Sequence, residues 1–327
     1  MPQATVFGPG SSEKACDLIA TAIVEEYVKR DPNAKVDIRV SGGYGALFVS
    51  GEAKSEADFD ISTAVKRTAA QIDPRLALEP FVAIEPALLA RGPISIFGYA
   101  TSETDSFLPP AVDEAMHIAR ELERFRTVNE DGFWLSGDYD VTVTREGKER
   151  IACIQVSHME EKNVEDVRAQ ITDIASHVFE GGLRINPNGA DHRQGLQKRV
   201  GSSGRLTQEW FGAKLPSSAT GIGFELKHPS NLGRWFARAA AKELVIAKKG
   251  KAVFVEMQWL PLETKPRILS ARNERGEILS SYLDRDRFDL TAPPEAWTAP
   301  ELLSGEAQFL TNNVNILPWE KELQPKD

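Results

Sequence analysis

The sequence predicts an α+β protein of three pseudo-repeated domains, each a small mixed or antiparallel sheet with helices on one face. Three observations carry this. The order helix, hairpin, helix occurs twice and begins a third time. The hairpins alternate apolar and polar residues and close on short polar turns. The helices repeat their apolar residues at helical spacing.

The first helix spans about Glu13 to Arg30, with Ala15, Leu18, Ile19, Ala22, Ile23 and Tyr27 on one face. KVDIRVS, the tight turn GGYG and ALFVSG form its hairpin, and a helix near Ile61 to Ile72 closes the copy. The stretch FGYATSETDSFLPP begins as a strand, behind Ile94 and Ile96. Its Ser, Thr and Asp residues bond back to nearby backbone and favour a turn, and Pro suits a first helical position. A helix from Pro110 to Arg126, a hairpin (DVTVT, REGKE, RIACIQVSH) and a helix near Val164 to Phe179 complete the second copy. The third has a helix from Pro229 to about Lys248, the strand KAVFVEMQW, a second strand near Arg267 to Ala271, and an irregular end. The copies share element order and no residue-level identity. The expected domains are 1–103, 104–195 and 196–327. Sheet faces without helices need cover from each other or from a second subunit. The tail QPKD reads as mobile.

Apolar residues make up 41% of the 327 and charged residues 27%, as in a soluble globular protein. There is no apolar run of about 18 residues to span a membrane. MPQATVFGPG lacks the basic and apolar regions of a signal peptide. Two cysteines, Cys16 and Cys153, make no disulfide framework or cysteine metal cluster, so a reducing cytoplasm is the expected setting. A net charge of −9 argues against a nucleic-acid partner but not against a small anion.

Three polar stretches are candidates for chemistry. In FGPGSSEKACD a glycine-rich loop enters a helix start, with Ser11 or Ser12 as N-cap. Helix N-termini hold phosphate. Lys14 in that first turn is unfavourable unless an anion binds nearby, and Glu13 beside it offers a carboxylate for Mg²⁺. In RINPNGADHRQGLQKRVGSSGR, Arg193, Lys198, Arg199 and Arg205 follow one another without an acid between Arg193 and Arg205. That reads either as a polyphosphate clamp or as a solvated loop. In GIGFELKHPSNLGRW, Lys227 precedes a helix start, with Ser230 a candidate cap; a surface lysine is the alternative. The five histidines form no metal pair at i,i+4 and suggest no Ser–His–Asp grouping.

Taken together, these stretches resemble the S-adenosylmethionine synthetase family. FGYATSET is similar to its GYAT-x-ET signature. GPGSSEKACD, VSGEA (49–53), INPNG (185–189), GSSGR (201–205), KHPS (227–230) and LPWEK (317–321) resemble further family motifs in the same order. The resemblance implies three pseudo-repeated α+β domains and a homodimer with shared active sites. It implies attack of the methionine sulfur on the ribose C5′ of ATP, expulsion of triphosphate, and its cleavage to phosphate and pyrophosphate. Carried over by position, Glu13 is a metal ligand; Lys14, Arg205 and Lys227 face phosphate; Glu52 lies near the methionine amino group; Asp138 binds substrate. Lys198 and Arg199 of the basic loop join the ATP-binding set.

The chain departs from the pattern at several positions. Ser11 stands where the family has a catalytic His. Arg39 replaces a glutamate that holds a monovalent cation, so its guanidinium is expected to stand in for K⁺ and to make K⁺ unnecessary. RGPIS replaces a G-D-Q-G motif, whose aspartate maps near Gly92, and the methionine-gating loop before it is missing or very short. Leu206, Asn231 and Gly233 replace two lysines and a metal-binding aspartate. Three readings follow: a divergent synthetase, the same fold with another acceptor, or a non-catalytic ATP-binding partner subunit.

Overall fold

The computed structural model describes residues 3–86, 92–206, 221–307 and 317–321. The QPKD tail lies outside the described residues. Strand β1 (Gln3–Phe7) leads into helix α1 (Ser12–Arg30), hairpin β2 (Lys35–Gly43) and β3 (Ala46–Lys54), helix α2 (Ile61–Ile72) and strand β4 (Glu79–Glu85). A second series repeats this order: β5 (Ile94–Thr101), α3 (Pro110–Val128), β6 (Leu135–Glu146), β7 (Glu149–His158), α4 (Val164–Ser176) and β8 (Gly182–Ile185). The short helix α5 (Gly195–Lys198) and strand β9 (Gly201–Ser202) precede α6 (Arg234–Ile246), β10 (Ala252–Trp259) and β11 (Ile268–Asn273). Short helical turns, α7 (Leu302–Ala307) and α8 (Pro318–Lys321) end the chain's described part.

Three sheets result, ordered β4-β3-β2-β9, β1-β6-β7-β8 and β11-β10-β5. Each contains one hairpin, central in the first two and at one edge in the third. In the first two, the strand after the closing helix adds parallel to the hairpin: β4 to β3, and β8 to β7. The opposite edge is taken by a strand from another repeat. β1, which precedes α1, pairs with β6. β5, which precedes α3, pairs with β10. β9, which precedes α6, pairs with β2. The strand before each central helix therefore enters the sheet of the next repeat, and the third returns to the first. Within the expected bounds, segment 1–103 thus gives β1 and β5 to the other two sheets, segment 196–327 gives β9 to the first sheet, and the described strands of 104–195 stay in one sheet.

The central helices α1, α3 and α6 cover one face of each sheet. Val36, Ile38 and Val40 of β2 point to the core with Leu47 and Val49 of β3, as alternation requires. Tyr139, Val141 and Val143 do the same in β6, and Val253, Val255, Met257 and Trp259 in β10. α1 is buried nearly all round and takes Lys14, Asp17 and Glu25 inside with its apolar residues. The helix-free face of the first sheet stays open. There Phe48 and Phe81 stack at 5.2 Å while 57% and 52% exposed.

Two boundaries differ from the sequence reading. α4 stops at Ser176, short of Phe179. The expected helix from Pro229 begins instead as a wider π-type turn, Pro229–Gly233, before α6. Its cap is His228, whose Nδ1 accepts the Ser230 N–H at 3.2 Å, so Ser230 is not the cap. Asn231 Nδ2 also donates to the carbonyls of Phe224 (2.8 Å) and Glu225 (3.1 Å). These bonds favour the wider turn over regular helix.

Candidate active site

The glycine-rich loop is an extension of β1. Gly8 and Gly10 N–H groups donate to the carbonyls of Tyr139 and Gly137, each at 2.8 Å. The loop then delivers Ser11 as N-cap of α1 in an extended conformation. Its hydroxyl makes no capping bond and is buried without a hydrogen-bond partner. Ser12 Oγ donates to Glu13 Oε2 at 2.7 Å, and Arg205 Nη1 stands 3.8 Å from Glu13 Oε1. Arg205 is placed by the strand before it: Ser203 exchanges bonds with Val40, and the Gly204 N–H donates to Asp17 Oδ1 at 2.6 Å. Lys14 is buried in the same turn of α1.

Beside this helix start lies a charged cluster on the open face of β6. Asp138 Oδ2 accepts the Gly195 N–H at 2.8 Å and the Ser157 hydroxyl at 3.0 Å, and pairs with Lys198 Nζ at 2.7 Å. Lys198 also pairs with Asp191 and donates to Ser157. Its ammonium is thus already shared by two carboxylates. Arg199 remains exposed at the rim. Gly195 permits the approach, since a Cβ there would stand 2.0 Å from the Gly10 carbonyl oxygen. Asp140, two residues beyond Asp138, was not singled out in the sequence. Burial, then the Asp138 charge, push its pKa up to about 6, against the pull of Arg199 and Lys198. The thiols are poor nucleophiles: burial pushes Cys16 up to about 12 and raises Cys153.

Glu52 and Lys227 do not join this group within one chain. Glu52 is opposite Asp37 in the β2–β3 ladder, near the start of β2. Lys227 lines a cavity of about 540 Å³ with Lys29, Lys35 and Glu301. At about 1.5 Å of rise per residue, Glu13 and Lys29 lie on the order of 24 Å apart along α1. The chain therefore carries two patches, one at each end of α1. Arg39 is held between its neighbours on the open face of the first sheet. Its Nε forms an ion pair with Asp37 at 2.9 Å, Nη1 donates to the Ile222 carbonyl at 3.3 Å, and the guanidinium lies 4.8 Å from the Phe224 ring centre.

Residues 4–104 match the family model of the S-adenosylmethionine synthetase N-terminal domain, and residues 90–191 match that of its central domain. The chain belongs to the S-adenosylmethionine synthetase family. It is 28% identical to an S-adenosylmethionine synthase of Staphylococcus epidermidis, over 86% of this chain and 84% of that protein. It is 24% identical to one from Cytophaga hutchinsonii, over 95% and 94%. Its fold is similar to a solved structure described as an unusual S-adenosylmethionine synthetase from Campylobacter jejuni. That likeness has a TM-score of 0.85 at 19% identity and covers 98% of this chain and 96% of the other.

Several synthetase-like motifs turn out to be structural. In INPNG, buried Asn186 accepts the Val156 N–H at 2.8 Å and donates to its carbonyl at 2.9 Å. In KHPS, His228 caps the turn and stacks on Phe224 at 4.1 Å. In FGYATSETDSF, the turn is clamped by buried Arg238, which donates to the carbonyls of Tyr99, Ser106 and Phe107 at 2.7 to 3.0 Å. In LPWEK, Trp319 stacks on Trp235 at 4.1 Å, and buried Glu320 pairs with Arg238 and Lys242. Sequence reasoning missed Asp140, Asp191 and Ser157. Alternation along β6 places Asp140 on the face of Asp138, a signal that was present but had no motif attached.

Proposed function

We propose that this chain is a methionine adenosyltransferase, forming S-adenosylmethionine from ATP and methionine with release of phosphate and pyrophosphate. The observation that carries this is the meeting of Glu13, Lys14, Arg205 and an unbonded buried Ser11 hydroxyl at the N-terminus of α1. Free N–H groups and the helix dipole favour a polyphosphate there. As the methionine sulfur bonds to C5′, the C5′–O bond breaks and negative charge grows on the triphosphate. Lys14, Arg205 and the helix start stabilise that charge where it develops. Ser11 donates its hydroxyl proton as a hydrogen bond, in place of the family's histidine. Arg199 is the second exposed cation of the clamp, and Asp138 and Lys198 hold the floor of the site.

The residues fit a nucleotide-borne Mg²⁺. No three His, Cys, Asp or Glu side chains gather to hold a metal among the described residues, and Glu13 offers one partly exposed carboxylate. Mg²⁺ commonly takes one or two carboxylates and completes its shell with phosphate and water oxygens. When bound, it supplies further neutralisation of the leaving triphosphate. Arg39 takes the place of a monovalent cation, with a carboxylate, a carbonyl and an aromatic face around it. Glu52 and Lys227 complete the site of a partner subunit in a homodimer, Glu52 towards the acceptor's amino group and Lys227 towards phosphate. No helix among the described residues is long and apolar enough to cross a membrane.

The test is mass-spectrometric product analysis of the purified protein with ATP, methionine and Mg²⁺, in Na⁺ and in K⁺. S-adenosylmethionine, phosphate and pyrophosphate are expected at similar rates in both salts. Bound ATP without a sulfonium product would move the chain to another acceptor. A rate that climbs steeply with K⁺ would remove the Arg39 role.

A further inference from the structure

The helix side of the middle sheet carries a groove that the proposed reaction does not use. Two cavities, of about 790 and 740 Å³, meet there at Gln170 of α4. Phe125 and Val128 of α3 line the first, with Ile174 of α4 and Val178 just beyond it. Phe133, Trp134 and Met159 line the second. Val128 is 77% exposed and Phe133 69%, so neither serves the core of this chain. Large apolar side chains gathered at such exposure mark a contact surface. The charge around them is one-sided. α3 ends at Val128 and α4 at Ser176, so two helix C-termini converge on the first cavity. Each carries a partial negative charge from its aligned peptide dipoles. Asp131, Glu161 and Asp173 stand exposed on the rim and form no ion pair among the described residues. The lysine and arginine on the rim are already engaged. Arg124 pairs with Glu121 at 2.7 Å, and Lys162 lies 5.2 Å from the centre of the Trp134 ring.

We propose that this groove docks a basic amphipathic helix of a partner protein. Its apolar stripe rests on Val128, Phe133, Ile174 and Val178, and its lysines or arginines meet the two helix ends and the rim carboxylates. A hydrophobic groove of this kind takes a helix whose anchors recur at i, i+3, i+4 and i+7. The same charges repel a nucleic acid or an anionic membrane. A second copy presenting this face would set like charges against each other, which disfavours self-association here. The Asp138 cluster lies on the opposite, open face of β6, so an occupant of the groove leaves it uncovered.

The experiment is fluorescence anisotropy on the full chain with a labelled synthetic helix, leucine at those spacings and lysine elsewhere. One control has the same residues in scrambled order, and the other has glutamate in place of lysine. Wild-type protein is expected to bind the helix at least tenfold more tightly than either control, and less tightly as salt rises. Val128→Ser combined with Phe133→Ser should weaken binding at least tenfold. Asp131→Asn combined with Asp173→Asn should weaken it several-fold and flatten its salt dependence. All four side chains are exposed, so both variants are expected to keep the wild-type urea midpoint. No binding, no preference over the controls, or unchanged affinity in the Val128→Ser, Phe133→Ser variant would overturn the inference. A smaller assembly for that variant in sedimentation velocity would also overturn it, by assigning the face to a second copy.

Discussion

Arg238 and Glu320 are each 1% exposed at the side chain, and their pairing joins two distant parts of the chain. Arg238 holds the turn after β5 by three carbonyls, while Glu320 brings α8 onto α6 through Arg238 and Lys242. Burial alone would raise the Glu320 pKa, but the charges of Arg238 and Lys242 outweigh it and hold it below its ordinary 4.5. Removing one member of such a group leaves buried charge uncompensated, at about 3–5 kcal/mol. Glu320→Gln is expected to lose stability in that range in urea unfolding at pH 7. The sign with pH follows from a lowered carboxylate pKa. The stabilisation is present above the unfolded value and is lost as pH falls below about 4.5 through the folded value. The gap between wild type and Glu320→Gln should therefore narrow on acidification; a constant gap would contradict the assignment.

Among the elements, β5 and α6 show how a motif residue serves packing. A Cβ on Gly98 would stand 2.2 Å from the Ala237 carbonyl oxygen, so α6 can lie this close only over a glycine. Gly98→Ala must push the helix off the strand. Overpacking of this kind costs about 1–3 kcal/mol, and a lowered urea midpoint with unchanged slope is the expected result. The glycine of the GYAT motif was visible in the sequence, but its reason was not. The neighbour that requires it lies 139 residues later, and no local pattern reports that approach. The hairpins and helices were legible because their periods depend on local burial. β4, β8 and β9 were not, being short strands placed by crossovers or by a partner strand.

For the whole molecule, the decisive feature is the cyclic exchange of edge strands among three repeats. It locks the repeats together and brings the β1 loop, the β6 cluster and the segment ending at Arg205 to one end of α1. Glu52 and Lys227 are left at the other end, so one chain presents two incomplete halves of the proposed site. The open face bearing Phe48 and Phe81 is the expected contact between copies, since stacked aromatic side chains of this exposure favour burial. A double change, Phe48→Asp with Phe81→Asp, should shift the protein to monomer in sedimentation velocity. Turnover should then fall at least tenfold with the α1 residues untouched. A dimer that survives the change would place the contact on another face.

The sequence by itself determined the repeat order, the core faces of its hairpins and helices, the family, and the helix start with Ser11, Glu13 and Lys14. All of these depend on near neighbours or on motifs that read in order. Only the tertiary structure decided which strands close each sheet, why Asn186, His228 and Glu320 are buried, and which charges face one another. Lys198 reads as a free cation in a basic loop, yet Asp138 and Asp191 arrive from elsewhere to pair with it. Asp140 reads as an ordinary strand residue, yet the fold half-buries it beside a second aspartate. Electrostatic environment is set by groups brought together through space, and spacing along the chain does not encode it.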